Sequence, residues 1–234
     1  MRGRLLVDVG NTRTKLALST PSGPQIIDSW LTADAPRIPT GCSSARIVSV
    51  ARAARAGLEA ALQAAGCTQC FFLGEQLTPA ISIDYQTVGT LGMDRVAAAS
   101  SAWQQSQGPV LVLSAGTALT LDAVSRGGEF LGGLIAPGRG ALQHGLSTLA
   151  PSLPAPTAAS GFPANSSPSC VGLGLEVAFT GLVREAVQRA RQAMPDATLW
   201  VTGGDADAVL RSLPGDGRVD PLLVLRGLEL ANET

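Results

Sequence analysis

Each half of this chain contains a strand–turn–strand pattern of the same length. When VDVGNTRTKLAL (7–18) is aligned with LSAGTALTLDAV (113–124), Gly10 falls on Gly116 and Asp8 falls on Ser114. Internal repetition of one supersecondary unit predicts a fold built from two similar parts. A chance likeness of two hairpins is the alternative, so the content of each turn decides how much weight the match carries.

Apolar runs of strand length alternate with helical patterns along the rest of the chain, which predicts a mixed α/β protein. The Pro- and Ser-rich segment 21–44 is predicted to be a loop. Strands are predicted at RLLVDVG, TKLALST, ARIVSVA, CFFLGE, PVLVLSA, TALTLDAVS, GEFLGG and TLWVT. Helices are predicted at GLEAALQAAG, DRVAAASSAWQQSQG, GRGALQHGL, LEVAFTGLVREAVQRARQAM and DADAVLRSL.

The composition limits the partners that the protein can have. Of 234 residues, 45% are hydrophobic and 15% are charged, which is enough to bury one large core or two smaller ones. The formal net charge of -1 gives no basic excess for nucleic acid or an anionic membrane. The first apolar run ends at Asp8, too early for a signal peptide, and the longest uncharged stretch is interrupted by Gln and Pro. We therefore expect a cytoplasmic protein.

The first turn has the composition of a phosphate-binding loop. Gly10 lacks the side chain that would keep a phosphate away, and Asn11 and Thr12 can donate hydrogen bonds to phosphoryl oxygens. Asp8 would repel a phosphate, so its natural role is to hold Mg²⁺, directly or through water. The chain contains no G-x-x-x-x-G-K-[ST] loop. Taken alone, the same residues also make an ordinary tight turn.

The segment LGMDRVAAA sets an acidic and a basic residue at the start of a predicted helix. Asp94 can accept a proton from an attacking hydroxyl, and Arg95 can bind an anionic acceptor or stabilise a phosphoryl group in transfer. The alternative is an N-cap aspartate next to a surface arginine, which the spacing alone favours.

Together these segments resemble the type III pantothenate kinases, of the acetate and sugar kinase/heat-shock 70/actin superfamily. DVGNTRTK is similar to the first nucleotide motif, GMDR to the Gly-x-Asp-Arg motif, SAGTALTLDAV to the second phosphate motif and VTGGDA to the adenosine-side turn. The likeness covers essentially the whole chain. It implies a two-lobed, actin-like (ribonuclease H-like) duplicated α/β fold with mixed sheets and an inter-lobe cleft, and lobes at 1–108 and 109–234.

The resemblance implies ATP-dependent phosphorylation of pantothenate to 4'-phosphopantothenate, the first step of coenzyme A biosynthesis. Asp94 would be the general base, and Asp8 would lie nearest Mg²⁺. The ATP-binding residues would be Asp8, Val9, Gly10, Asn11, Thr12, Arg13, Thr14, Lys15 and Thr117. The pantothenate-binding residues would be Tyr85, Gly92, Met93, Asp94, Arg95 and Ser166. A lone tyrosine at a strand end is otherwise most simply interpreted as packing.

One position departs from the family pattern. Most relatives begin the second phosphate motif with Asp, which ligates K⁺ or NH₄⁺, whereas this chain has Ser114. A neutral hydroxyl does not replace a carboxylate as the charge partner of a cation, so the cation requirement is in doubt. Asp122 shares the face of Ser114 by strand alternation, without necessarily reaching the site.

The family also implies a homodimer with its pantothenate pocket at the interface, and the apolar helices after Gly92 and Gly172 are candidates for that surface. A regulatory role by protein contact is the alternative, because the Bvg accessory factor proteins belong to the same family. A third hypothesis is a phosphotransferase of the same superfamily that acts on a sugar or acetate. GMDR and VTGGDA favour the pantothenate branch over this hypothesis.

Overall fold

The computed structural model of the protein describes residues 3–213, 215 and 217–234. Two short 3-10 helices lie at Arg52–Ala54 and Val88–Thr90. The strands are β1 (Arg4–Val9), β2 (Arg13–Thr20), β3 (Gly23–Leu31), β4 (Ser44–Ser49), β5 (Gln69–Phe72), β6 (Leu77–Thr78), β7 (Ser82–Ile83), β8 (Val110–Ala115), β9 (Ala118–Val124), β10 (Glu129–Pro137), β11 (Thr198–Thr202), β12 (Arg218–Val219) and β13 (Asn232–Glu233). The helices are α1 (Arg55–Ala64), α2 (Met93–Ser106), α3 (Arg139–Leu149), α4 (Ser167–Ala193), α5 (Ala206–Ser212) and α6 (Leu223–Leu230).

The first sheet is mixed and has the strand order β3-β2-β1-β4-β5. β1 pairs antiparallel with β2, which sets Asp8 opposite Lys15, and parallel with β4. Both faces of β1 are covered, because Leu5 and Val7 join one core cluster and Leu6 joins another. A central strand that is buried on both sides is apolar almost throughout, which is why RLLVDV shows no alternation.

The prediction of a loop over 21–44 is wrong in part, because β3 lies within it. β3 pairs antiparallel with β2 along its length and forms the edge of the sheet. Pro24 is tolerated near its start because an edge strand does not need every N–H for pairing. Within β3 only Pro24 and Trp30 are buried, whereas Ile26 and Ile27 are exposed, so the apolar alternation that marks a strand is missing.

The second sheet repeats the topology of the first. Its order is β12-β11-β8-β9-β10-β7, in which β10-β9-β8-β11-β12 corresponds to β3-β2-β1-β4-β5. The strand–turn–strand units aligned in the sequence, β1–β2 and β8–β9, occupy equivalent positions in these two orders. The predicted duplicated α/β fold with mixed sheets is therefore confirmed.

The chain divides into two compact units. Unit 1 contains the described residues up to Val110 together with Asp122–Gly132 and Leu222–Thr234, and unit 2 contains Leu111–Leu121 and the described residues of Gly133–Pro221. The predicted lobes, 1–108 and 109–234, differ from these units at residues 109–110 and in two longer segments, Asp122–Gly132 and Leu222–Thr234. Asp122 pairs with Arg95 on α2, and α6 packs on α2, so both segments belong to unit 1. As functional lobes, the predicted ranges remain a prediction.

The apolar surface of α2 is internal to unit 1. Ala97 and its neighbours on α2 are buried, and the Ala97 carbonyl lies so close to α6 that a β-carbon on Gly227 would be 2.0 Å from it. The prediction that the helix after Gly92 supplies a free apolar surface is therefore wrong. In the described part of the chain, no helix is both long and apolar enough to cross a membrane.

Candidate active site

The turn between β1 and β2 is held by Thr32, at the end of β3. The Gly10 N–H donates to the Arg13 carbonyl at 3.0 Å and closes the turn. The Thr32 hydroxyl donates to the Gly10 carbonyl at 2.8 Å, and the Thr32 N–H donates to the Thr12 carbonyl at 2.9 Å. Thr32 thus engages two carbonyl groups of the turn and fixes its shape. No sequence pattern marked this residue, because the contact depends on β3.

Side chains of the predicted ATP-binding segment 8–15 lie in different surroundings. Asn11, Thr12 and Arg13 are exposed on the turn. Val9 is buried in the core, and Thr14 is buried with its hydroxyl 3.1 Å from that of Thr32. Val9 and Thr14 therefore support the turn from the interior.

A cavity of about 740 Å³ opens beside this turn, within unit 1. Asn11, Trp30 and Thr32 contribute to its lining on the hairpin side, and residues from Val50 to Leu58 contribute from the segment that follows β4. The turn therefore borders a space large enough for part of a small ligand.

Asp8 is partly buried, and its pKa is raised. Burial raises its pKa from 3.8 to about 6, an effect that Lys15 opposes and the nearby Asp94 carboxylate reinforces. Lys15 is its direct cross-strand neighbour. The Val50 N–H donates to the Val9 carbonyl at 3.0 Å, and the Val50 side chain is 3.6 Å from the β-carbon position of Gly92, so the GMDR segment lies near the end of β1 in unit 1.

Asp94 lies in the first turn of α2, which begins at Met93 after the N-cap residue Gly92. Its Oδ1 accepts a hydrogen bond from the Arg95 N–H at 2.9 Å, and a β-carbon on Gly92 would be 2.6 Å from this oxygen. Gly92 thus makes room for the carboxylate. Burial raises the pKa of Asp94, and the hydrogen bond and the charge of Arg95 lower it.

Arg95 is buried, so it is not the surface arginine that the spacing favoured. Its guanidinium binds Asp122 of β9, with Nε 3.0 and 3.1 Å from the two carboxylate oxygens and a further contact from Nη2 to Oδ1. The Tyr85 ring meets Phe130 edge to face at a centroid distance of 6.1 Å, and the Arg95 guanidinium carbon is 5.7 Å from the centroid of the same Phe130 ring. Tyr85 therefore packs in this cluster, and its role toward a substrate remains a prediction.

Asp122 is the residue of this cluster that sequence reasoning missed. A single carboxylate inside the apolar strand ALTLDAV was the available signal, but it was considered only as a neighbour of Ser114. Its side chain is 1% exposed, and Arg95, to which it binds, is in the same unit.

In unit 2, three separate sequence segments meet at the turn between β8 and β9. Gly138, the N-cap residue of α3, donates to the Thr117 carbonyl at 3.2 Å, and a β-carbon there would be 2.0 Å from the Gly116 carbonyl. Gly203 of VTGGDA has φ +96°, and a β-carbon on it would be 2.2 Å from the Ala115 carbonyl. Glycine is therefore required at both junctions. Thr117 itself is exposed on the turn.

Two predicted substrate residues have structural contacts of their own. Ser166 is the N-cap of α4, and its hydroxyl accepts the Ser169 N–H at 3.3 Å. α4 begins at Ser167, earlier than the predicted LEVAFT, because this cap and Pro168 start a helix there. Met93 packs against Gly74, whose β-carbon position is 3.1 Å from the Met93 side chain. The roles of Ser166 and Met93 toward a substrate remain predictions.

Comparison with known proteins decides the family. A model of the type III pantothenate kinase family matches residues 4–189. The chain is 35% identical to the type III pantothenate kinase of Thiobacillus denitrificans, with 97% of this chain and 95% of that protein covered. The chain belongs to the type III pantothenate kinase family. The family's enzyme from Akkermansia muciniphila is 30% identical, with 97% of each chain covered.

Solved structures agree on the fold of this family member. A protein of Campylobacter jejuni described as a Baf family transcriptional activator superposes with a TM-score of 0.62 over 96% of this chain and 95% of that chain, at 20% identity. MreB 5 of Spiroplasma citri, bound to AMPPNP, superposes with a TM-score of 0.51 over 98% and 96%, at 12% identity. At these identities the likeness establishes the actin-like fold alone.

Proposed function

We propose that this chain transfers the γ-phosphoryl group of ATP to the primary hydroxyl of pantothenate, the first step of coenzyme A biosynthesis. Membership of the family supports this reaction, and one observation carries it in this chain. The Asp94 carboxylate lies in the first turn of α2, and the β-carbon position of Gly92 just before it is 3.6 Å from Val50, whose N–H donates to the Val9 carbonyl next to Asp8. A candidate base is therefore next to the first phosphate turn.

Asp94 would accept the proton of the pantothenate hydroxyl as that oxygen attacks the γ-phosphorus, and ADP would leave with the electrons of the broken bond. Burial raises the pKa of Asp94. A raised pKa makes the ionised carboxylate a better proton acceptor near neutral pH. The Arg95 N–H, 2.9 Å from Oδ1, holds the carboxylate in place for this role.

The charge around Asp8 fits Mg²⁺. Burial is the main cause of the raised pKa of Asp8, so a cation bound beside this carboxylate would offset the cost of keeping it ionised inside the protein. Mg²⁺ in nucleotide sites takes one or two carboxylates, and the phosphates and water complete its coordination. When bound, Mg²⁺ would neutralise charge on the ATP phosphates. Asp8 would hold it, and the exposed turn residues and Thr117 would contact the phosphates.

We further propose that Ser114 weakens the dependence on K⁺ or NH₄⁺ that the family pattern implies. A hydroxyl offers an oxygen but no negative charge to a monovalent cation. The variant Ser114→Asp is expected to increase the stimulation of turnover by potassium. Equal potassium dependence in both proteins would contradict this part of the proposal.

A homodimer with pantothenate bound at its interface is also proposed. Support comes from exposed apolar side chains on two helices of unit 2 that pack together, α3 and α4. Leu149 is 87% exposed and Val177 is 61% exposed. Sedimentation velocity with and without pantothenate measures the oligomeric state directly.

The test of the kinase is ADP formation from ATP and Mg²⁺ as pantothenate is titrated, with and without potassium. Asp94→Asn should reduce kcat at least a hundredfold, in line with the loss of a general base. Asp207→Asn is the matched control, because Asp207 is also an acidic residue in the first turn of a helix. No pantothenate-dependent ADP formation by the folded wild type would overturn the proposal. The regulatory alternative would then regain weight, although the family relatives do not favour it.

A further inference from the structure

The pair formed by Arg95 and Asp122 is the most deeply buried ion pair among the described residues. The side chain of Asp122 is 1% exposed and that of Arg95 is 8% exposed. The carboxylate binds the edge of the guanidinium formed by Nε and Nη2. A carboxylate that binds two nitrogen atoms at one edge of the planar guanidinium fixes the orientation of that group. A contact through a single atom would leave the guanidinium free to rotate.

The remaining surroundings of Arg95 complete a fixed cluster. Its guanidinium carbon is 5.7 Å from the centroid of the Phe130 ring, and the Tyr85 ring lies on the same phenylalanine at a centroid distance of 6.1 Å. Tyr85 itself is packed tightly, because a β-carbon on Gly132, at φ +90°, would be 2.9 Å from its ring. Asp122, Phe130 and Gly132 all lie in the segment from β9 to β10, so one short stretch of chain positions both Arg95 and Tyr85.

We propose that Asp122 is a positioning residue of the acceptor site: it holds Arg95 against Tyr85 so that an anionic acceptor meets the guanidinium in a single orientation next to Asp94. The proposal rests on the proposed kinase function. Asp122 neutralises the charge of Arg95. Arg95 would therefore bind the acceptor through directed hydrogen bonds more than through net electrostatic attraction. Loss of Asp122 should therefore disturb the geometry of the reacting complex, and small misplacements of this kind are costly in rate.

The first arm of the test is kinetic. In Asp122→Asn, kcat/KM for pantothenate is expected to fall about tenfold to a hundredfold, with the KM for ATP changed less than about twofold. If Asp122 acts through Arg95, adding Asp122→Asn to Arg95→Gln should have little further effect on kcat/KM. Fully additive effects of the two substitutions would overturn the proposal.

The second arm does not depend on activity. Tyr85 is the only tyrosine of the chain, so ¹³C-tyrosine labelling gives ring signals from this residue alone. Asp122→Asn should shift or broaden them, because Arg95 loses its fixed position. Asp28→Asn is the control, since it breaks an exposed acid–arginine pair with Arg37. Unchanged Tyr85 signals in folded Asp122→Asn would overturn the proposal even if the protein proved not to be a kinase.

If Asp122→Asn does not fold, a double variant tests the proposal instead. Asp122→Asn leaves a buried arginine without its counter-charge, whereas the double variant Arg95→Gln/Asp122→Asn removes both charges and is expected to fold. Its kcat/KM for pantothenate should then equal that of Arg95→Gln. A double variant markedly slower than Arg95→Gln would assign Asp122 a role separate from Arg95 and contradict the proposal.

Discussion

Three aspartates of unit 1 have different surroundings, and these surroundings fit the different roles proposed for them. Asp122 is paired with Arg95 inside the protein. Asp94 has a raised pKa because it is buried at the start of α2. Asp8 has its pKa raised to about 6 by burial and by Asp94, against the effect of Lys15. Carboxylates with different environments can serve as anchor, base and metal ligand at one pH.

The raised pKa of Asp8 predicts how stability depends on pH. The pKa of Asp8 is about 6 in the folded protein and 3.8 in the unfolded chain, so protonation of Asp8 favours folding. The stability gained in this way is lost as the pH rises through about 6. Asp8→Asn should therefore be more stable than the nucleotide-free wild type at pH 8, by up to about 3 kcal/mol, and similar to it below pH 4. Urea unfolding between pH 4 and pH 8 measures the difference.

The control for this experiment has the opposite sign. The hydrogen bond from Arg37 lowers the pKa of Asp28. The stability that ionised Asp28 contributes is present above the pKa of the unfolded state and is lost as the pH falls. Asp28→Asn should therefore be less stable than the wild type at neutral pH. A difference between Asp8→Asn and wild type that is the same at every pH would show that the charge of Asp8 is not its cause.

At the scale of elements, each of the two turns proposed to bind phosphate is shaped by a segment outside its own hairpin. The end of β3 fastens the β1–β2 turn through Thr32. The β8–β9 turn is approached by Gly138 before α3 and by Gly203 after β11. The residue types in each turn suit phosphate binding, but contacts from segments distant in the chain determine the shape of the turn.

Thr32→Val tests the support of the first turn. The substitution removes the hydroxyl that donates to the Gly10 carbonyl, and it should cost about 1 kcal/mol of stability. The KM for ATP should rise several-fold, with the KM for pantothenate little changed, and Thr32→Ser should restore both because it keeps the hydroxyl. Steady-state kinetics and urea unfolding give these quantities. Equal ATP kinetics in Thr32→Val and wild type would argue against this support.

Gly138→Ala tests the second turn. The new β-carbon would be 2.0 Å from the Gly116 carbonyl, so the turn must shift, and we expect a loss of about 2 kcal/mol or more with weaker ATP binding. Gly145→Ala, inside the same helix, meets nothing within 4 Å and should stabilise the protein by up to about 1 kcal/mol. Thermal unfolding of the two variants gives opposite signs if this account is correct.

At the scale of the whole molecule, the end of the chain returns to the first sheet. β4 carries the buried Arg46, whose Nη1 donates to the carbonyls of Leu228, Glu229 and Ala231 at 3.0, 3.0 and 2.7 Å. These carbonyls belong to the end of α6 and the residues after it. A single side chain therefore satisfies the C-terminal end of a helix that lies 182 to 185 residues away in sequence.

Arg46→Met should lower the free energy of unfolding by about 3 kcal/mol or more, because it leaves these buried carbonyls without their donor. Arg4→Met is the matched control. Arg4 and Arg46 both contact Glu233 Oε1, at 3.5 and 3.2 Å, but Arg4 is exposed and its ion pair should contribute less than about 1 kcal/mol. Equal losses in the two variants, measured by urea unfolding, would show that the carbonyl contacts add little.

Local chemistry made the hairpins, most of the helices and the family motifs predictable from the sequence. Backbone period and turn composition act over a few residues, so the repeat of Gly10 and Gly116 was visible without a structure. The GMDR segment was visible for the same reason. Asp94 and Asp8 were thus identified as candidates, although their shared electrostatics were not.

The tertiary structure alone decided the partners of those residues. β3 became a strand because β2 offered it an edge to pair with, although its own apolar pattern was weak. Arg95 changed from an expected surface residue to a buried one because β9 brings Asp122 to it from 27 residues away. Thr32 and Arg46 acquired their roles in the same way. Packing and hydrogen bonding between distant segments depend on the whole fold, so no local pattern encodes them.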